Sequence, residues 1–452
     1  MASQVALSTE EEARMRRKAI VAAAIGTSIE WYDFFLYSTV AALVFPALFF
    51  PKQDPNTAIL LSFSTYFVGF AARPVGAALF GHYGDRLGRK VTLIATLLVM
   101  GIGTVLIGII PTYAQIGVFG AVLLTVLRAL QGIGIGGEWG GSVLLSLEWN
   151  SGGRRGLVGS WPQFGVPVGL VLSNGAFLLF NALTGDQFLV WGWRIPFLLS
   201  IVLIGVGLYI RLGILETPVF ASLADTQRIE QAPVVEVLRR NGREVVLSAL
   251  ARLGQNTQFY IFTSFILVYG TTTLHFARGS LLNATLVMSV LSLITVPLFG
   301  LLSDRYGRRR VYLIGCAIMV VFPFIYYGLL DTRVALIVFL AIAISLPIHD
   351  VQYGPQAALI AESFTGRLRY SGASLGYQAA SIIAGGPAPI VATFLIATFH
   401  SSLAVAIYLA LCAAVSVLAT LGLRDNRDRD ITTEYDESPA TAGAKVGGVT
   451  GA

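Results

Sequence analysis

The stretch Gly84-Asp85-Arg86-Leu87-Gly88-Arg89-Lys90 returns later in the chain as Ser303-Asp304-Arg305-Tyr306-Gly307-Arg308-Arg309. Each copy lies between two apolar runs, 57–82 and 91–110 in the first case, 280–302 and 311–330 in the second. Further runs fall at 19–45, 114–146, 157–182 and 191–215, then at 244–272, 333–361, 370–398 and 401–423. That makes six runs on either side of a polar stretch, 216–243. Their length of about 20 residues or more matches membrane helices, and they lack the short alternation of barrel strands. Internal duplication across a polar linker marks transporters built from two related bundles. The sequence therefore predicts an all-α membrane protein with twelve transmembrane helices in two six-helix bundles.

Composition agrees. Hydrophobic residues make up 55% of the chain and charged residues 12%, with a mean hydropathy of +0.73. A soluble domain carries about a quarter charged residues. In lipid, backbone polar groups must be satisfied internally, and helices do this within one segment. Cys316 and Cys412 sit inside apolar runs and read as small buried hydrophobes.

The expected organisation is a cytoplasmic N-terminal segment 1–18, an N-terminal bundle 19–215, a cytoplasmic central loop 216–243, a C-terminal bundle 244–423, and a disordered tail 424–452. Lys and Arg set the orientation. Arg14, Arg16, Arg17, Lys18, Arg86, Arg89, Lys90, Arg154, Arg155, Arg305, Arg308, Arg309, Arg310, Arg367 and Arg369 fall on one side. Only Lys52, Arg194, Arg278 and Arg333 fall on the other. Both termini are thus expected in the cytoplasm, with the chain multi-pass in the inner membrane. The pI near 9.3 is a topology signal and gives no reason to invoke nucleic acid. A weaker echo of the repeat links Glu148 and Arg155 to Glu362 and Arg369.

The duplicated loop resembles the signature loop of the major facilitator superfamily. Its glycine permits a tight turn, its arginines hold the surface, and a short-tethered aspartate can meet the positive end of a helix. The resemblance implies gating by Asp85, Arg86, Arg89, Asp304, Arg305 and Arg308, with Asp85 meeting the start of span eleven and Asp304 the start of span five. The alternative is that these loops only fix topology. Three further stretches are Gly26–Phe35, Arg128-Ala129-Leu130-Gln131-Gly132 running on to Gly141, and Arg369–Gln378. They resemble the metabolite:proton symporter family, whose members carry organic acids, shikimate, or proline and glycine betaine.

Ionisable residues inside apolar spans are costly unless paired or wet, and so mark function. The acids are Glu30 and Asp33 in span one, Glu138 in span four and Asp350 in span ten; the bases are Arg73, Arg128 and Arg252, with His349 beside Asp350. Glu30 and Asp33 share a helix face at i, i+3. Asp33 lies roughly 22 Å and Arg128 roughly 20 Å along their helices at 1.5 Å per residue, near mid-membrane. Glu30, Asp33 and Glu138 are the candidate proton carriers. Arg128, Arg73, Tyr37, Gln163, Tyr353 and Gln378 are the candidate substrate ligands. Asp33 and Arg128 are expected to pair in the empty site, a substrate carboxylate then competing for Arg128 and freeing Asp33 for a proton. A static ion pair that merely holds the bundle is the alternative.

Gly132-x-Gly134-x-x-Gly137 matches a dinucleotide fingerprint, but that needs a strand before it and a soluble unit around it. Inside an apolar helix, close packing through small residues explains it better. No Walker loop, zinc motif or nucleophile elbow is present, so neither a cofactor nor an enzymatic activity is expected. The expected activity is proton-driven symport of a small polar metabolite by a monomer in the lipid bilayer. Intramembrane arginines favour a carboxylate, which guanidinium recognises bidentately. Osmolytes such as proline and glycine betaine are the alternative, and an uncoupled facilitator a further one.

Overall fold

In the computed structural model, residues 9–150, 154–225 and 232–429 are described. The central-loop segment 226–231 and the expected tail from 430 onward lie outside the described residues. Among the described residues the fold is helical throughout, without strands. Span one is Thr9–Leu43, span two Pro55–Leu87, span three Arg89–Ile109, span four Val118–Glu148 and span five Arg155–Thr184. Span six joins Arg194–Leu198 to Ser200–Leu212. After the central loop, span seven runs Gly242–Tyr260, through a π turn at Ile261–Phe265, to Ile266–Thr272. Spans eight, nine and ten are Arg278–Tyr306, Arg308–Leu330 and Ala335–Ala361. Span eleven runs from Arg369–Ala380 through a second π turn, Ser381–Gly385, to Ala388–Phe399, and span twelve is Ser402–Gly422.

Among the described residues, eleven of these are long and apolar enough to cross a membrane. Span seven falls short in hydropathy for a physical reason. Arg252, Gln255, Asn256, Thr257 and Gln258 follow one another almost without a break, and all five are buried inside the protein. Its polarity faces protein, where hydrogen bonds are available, and not lipid.

Within the first half, span one packs on five, and two and three pack on four. In the second half, eight and nine pack on ten, and seven and nine on twelve. Across the boundary, span five lies on eight and span two on eleven. Small residues make the closest approaches. A Cβ on Gly132 or Gly136 of span four would overlap the carbonyl oxygen of Gly69 or Arg73 in span two. The glycine run of span four is therefore a packing device.

The duplicated loops each turn on one glycine in the left-handed region, Gly88 at φ 106° and Gly307 at φ 100°. Side chains at Cβ disfavour that conformation, so glycine is the fitting residue. The turns join span two to three and span eight to nine with one residue between helices.

Candidate functional site

At the end carrying the basic loops, two charge clusters of matching design tie the halves together. Asp85 accepts a hydrogen bond from the backbone N–H of Ser371, at the start of span eleven, at 3.0 Å. Its counterpart Asp304 accepts from the N–H groups of Gly156 and Leu157, at the start of span five, at 2.7 and 2.9 Å. Carboxylates at helix N-termini meet free N–H donors and the positive end of the helix dipole. Behind Asp85, Arg89 lies 3.4 Å from its carboxylate and 3.3 Å from Glu148. Behind Asp304, Arg308 sits 2.9 Å from it and 3.1 Å from Glu362. The clusters then cross the boundary: Arg369 reaches Glu148 at 3.6 Å and Arg155 reaches Glu362 at 3.3 Å. Burial lifts the Glu362 carboxyl above the ordinary carboxylate range, against the pull of Arg308 and Arg155. Arg86 bonds His82, and Arg305 stands over the ring of Tyr306.

At mid-membrane, Arg73 and Arg128 are both buried, at 1% and 0% exposure. Both pack on the Phe34 ring, one guanidinium 4.6 Å and the other 5.0 Å from its centre. Arg128 also stands over Tyr37 at 4.2 Å and Tyr66 at 5.0 Å, and Arg73 over Phe70 at 4.5 Å. Cation–π contacts of this kind replace part of the lost hydration. They leave N–H groups free: Nε and Nη2 of both arginines have no hydrogen-bond partner. Four buried donors without acceptors converge around one aromatic ring, a setting an anion would complete.

The expected ion pair between Asp33 and Arg128 does not form. Asp33 instead accepts from Ser200 at 2.6 Å and Thr104 at 2.9 Å. Arg128 donates to Gln131 Oε1 at 3.1 Å, and Gln131 Nε2 donates to Thr104 at 2.7 Å. Gln131 and Thr104 thus stand between acid and base, so the link is a relay of neutral groups. Two hydroxyl donors satisfy the carboxylate without a cation, which is why the direct pair is not needed.

Glu138 has a partner of its own. Arg211 of span six forms an ion pair with Glu138 and bonds the carbonyl of Leu93. Thr96 and Ser142 also donate to Glu138, at 2.8 and 2.9 Å. Glu30 sits among these charges, 2% exposed, with Oε2 lacking any hydrogen-bond partner.

The fold coincides with a known architecture. The family model described as Major Facilitator Superfamily matches residues 26–386 and 285–445. The chain belongs to the major facilitator superfamily. It is similar to the inner membrane metabolite transport protein YhjE of Escherichia coli K12, with 41% identity over 92% of this chain and 96% of that one. It is similar to the shikimate transporter of the same organism, with 41% identity over 91% and 95%. Among solved structures, the proton:xylose symporter XylE bound to 6-bromo-6-deoxy-D-glucose superposes with a TM-score of 0.74, at 16% identity over 93% and 98%. That likeness concerns the fold. This superfamily member is a membrane transporter and not an enzyme.

The transporter's remaining candidate ligands separate into groups. Tyr37 hydrogen-bonds Thr65 at 2.6 Å beside Arg128. Gln163 belongs to a second cluster, accepting from Trp139 Nε1 at 2.8 Å. The Trp139 ring stacks on Tyr377 of the other bundle with centroids 3.6 Å apart, and Arg252 covers the far face of Tyr377 at 3.3 Å. Gln378 bonds Ser381 and the carbonyl of Ile135. Tyr353 packs on Phe259 and His349, one ring away from Trp31 of span one. His349 bonds Gln255, and Asp350 accepts from Ser292 and Thr295. Sequence reasoning missed Arg211, Thr104, Gln131 and Ser200. An arginine near the expected end of span six reads as an interfacial anchor, and lone hydroxyl or amide residues in a helix carry no signal of their own.

Proposed function

We propose that this transporter is a proton-coupled symporter importing a small carboxylate, shikimate or a similar organic acid, by alternating access with its basic end in the cytoplasm. One observation carries the reading: Arg73 and Arg128 both pack on Phe34 and hold unpaired, buried donors. A substrate carboxylate between them would satisfy donors that the protein leaves empty, with Tyr37 beside it. The 41% identity to a shikimate transporter supports the substrate class.

The proton would be carried by span one. Glu30 Oε2 is open to a proton, whereas Glu138 is committed to Arg211. Asp33 connects to Arg128 through Thr104 and Gln131, so anion binding at Arg128 is felt at Asp33. Linkage makes such help between proton and substrate mutual. The clusters around Asp85 and Asp304 would close the basic end and release it in the alternate state. In proteoliposomes with an imposed proton gradient, shikimate should accumulate and a protonophore should abolish the accumulation. Uptake of glycine betaine and proline in preference to organic acids would replace the carboxylate reading with the osmolyte one.

A further inference from the structure

At the end opposite the basic loops, the second bundle carries an open cavity of about 560 Å³. Its walls come from the end of span seven, the turn between nine and ten, and the turn between eleven and twelve. Each of these three connections contributes one basic side chain: His275, Arg333 and His400. All three are exposed, and none has a side-chain hydrogen bond or ion pair among the described residues. Asp331, the acid in the wall, is already engaged. Tyr269 donates to one of its oxygens at 2.8 Å and Ser402 to the other. The groups of the hollow left without a partner are therefore one guanidinium and two imidazoles, beside one engaged carboxylate.

The same three residues are the non-glycine residues of positive φ among the described residues, at 61°, 55° and 50°. Three separate turns adopt a conformation that glycine would take more easily. His400 ends a helix, where a left-handed residue is usual but is usually glycine or asparagine. Side chains held this way persist where the surroundings fix them, and they gather at ligand clamps. A smaller cavity of about 140 Å³ shares Tyr269, Thr272, Thr273 and Ile396 and extends to Phe265 in the π turn of span seven. Next to Phe265, Ser264 meets Ser38 of span one across the bundle boundary at 3.3 Å. The smaller hollow thus ends at the π turn, the segment of span seven that meets span one.

We infer that this cavity is an antechamber that binds a small carboxylate, held by the Arg333 fork and the imidazoles of His275 and His400, before it passes to Arg128 and Arg73. The ligand class rests on the carboxylate reading given above. Guanidinium matches carboxylate geometry, and its N–H fork offers two parallel donors to one carboxylate.

Diethyl pyrocarbonate modification of the purified full chain, read by mass spectrometry, tests this. The chain has four histidines, of which His349 is buried and His82, bonded to Arg86 at the other end, is an internal control. Shikimate and citrate are the probes. Shikimate should slow modification of His275 and His400 about fivefold or more and leave His82 unchanged. The protection should survive Arg128→Lys and vanish in Arg333→Gly. Arg333→Gly should also raise the KM for shikimate uptake severalfold at unchanged maximal rate, while raising the melting temperature because the left-handed turn is relaxed. No protection by either probe, loss of protection in Arg128→Lys, or a wild-type KM in Arg333→Gly overturns the antechamber. Protection is read without transport. Intact protection in a wild-type protein that fails to accumulate shikimate would therefore overturn the transport reading and leave the antechamber standing.

Discussion

Arg369, at the start of span eleven, reaches across the bundle boundary to Glu148 at the end of span four, Nη1 to Oε1 at 3.6 Å. Arg155 and Glu362 repeat the contact with the halves exchanged, at 3.3 Å. Each acid also holds the arginine of its own half's loop, Arg89 or Arg308. The basic end is therefore one unit written twice, in which each glutamate serves an arginine of its own half and one of the other.

Removing one glutamate from such a unit takes a counter-charge away from two buried guanidinium groups, a cost of up to about 3–5 kcal/mol. Glu148→Gln should shift the protein toward the state open at the basic end. A cysteine placed at Gly159 should then label faster with a membrane-impermeant thiol reagent added on that side. Asp85→Asn keeps an acceptor for Ser371 N–H but loses the charge facing Arg89. Its transport rate should fall about tenfold, ~1.4 kcal/mol, with substrate binding within about twofold. Wild-type transport in sealed vesicles would refute the gating role.

Glu138 and Arg211 test whether a buried pair is structural. Glu138→Gln strands Arg211 in a dry site and should lower stability in detergent by about 3–5 kcal/mol. Arg211→Gln together with Glu138→Gln should recover most of that loss, since two neutral amides replace two charges. A double variant no more stable than the single one would mean that the pair is not the source of the effect. Transport by the stable double variant would leave Glu30 and Asp33 as the coupling acids.

The relay from Asp33 to Arg128 makes a separate prediction. Gln131→Leu deletes the link while leaving both charged ends in place. It should bind shikimate within about twofold of wild type and exchange it across the membrane, yet accumulate little against a gradient. Asp33→Asn, a fixed mimic of the protonated acid, should behave the same way. Arg128→Lys keeps the charge but loses the fork, so binding should weaken about tenfold, ~1.4 kcal/mol, with coupling retained. Full accumulation by Asp33→Asn would move the proton to Glu30.

Residues 430–452 offer no heptad pattern in sequence. Deleting them should leave shikimate transport and its response to external osmolality unchanged. A shifted osmotic response in vesicles would favour the osmolyte reading.

The sequence by itself determined the solvent, the helix count and the internal repeat. Those properties are additive along the chain: apolar length, the positions of Lys and Arg, and two similar loops can be read one residue after another. It also located the charged positions in the spans, because a charge in an apolar run stands out in one dimension. What it could not decide was partnership. Asp33 and Arg128 are matched in depth and opposite in charge, yet one threonine hydroxyl and one glutamine stand between them. Glu138 found Arg211, a residue far along the chain that reads as an interfacial anchor. Gln163 and Gln378 turned toward Trp139 and Ser381. Depth follows from counting along a helix, but which face meets which neighbour depends on how twelve helices rotate and pack, and a hydrogen bond is lost within an ångström of misplacement. Only the tertiary structure sets that rotation.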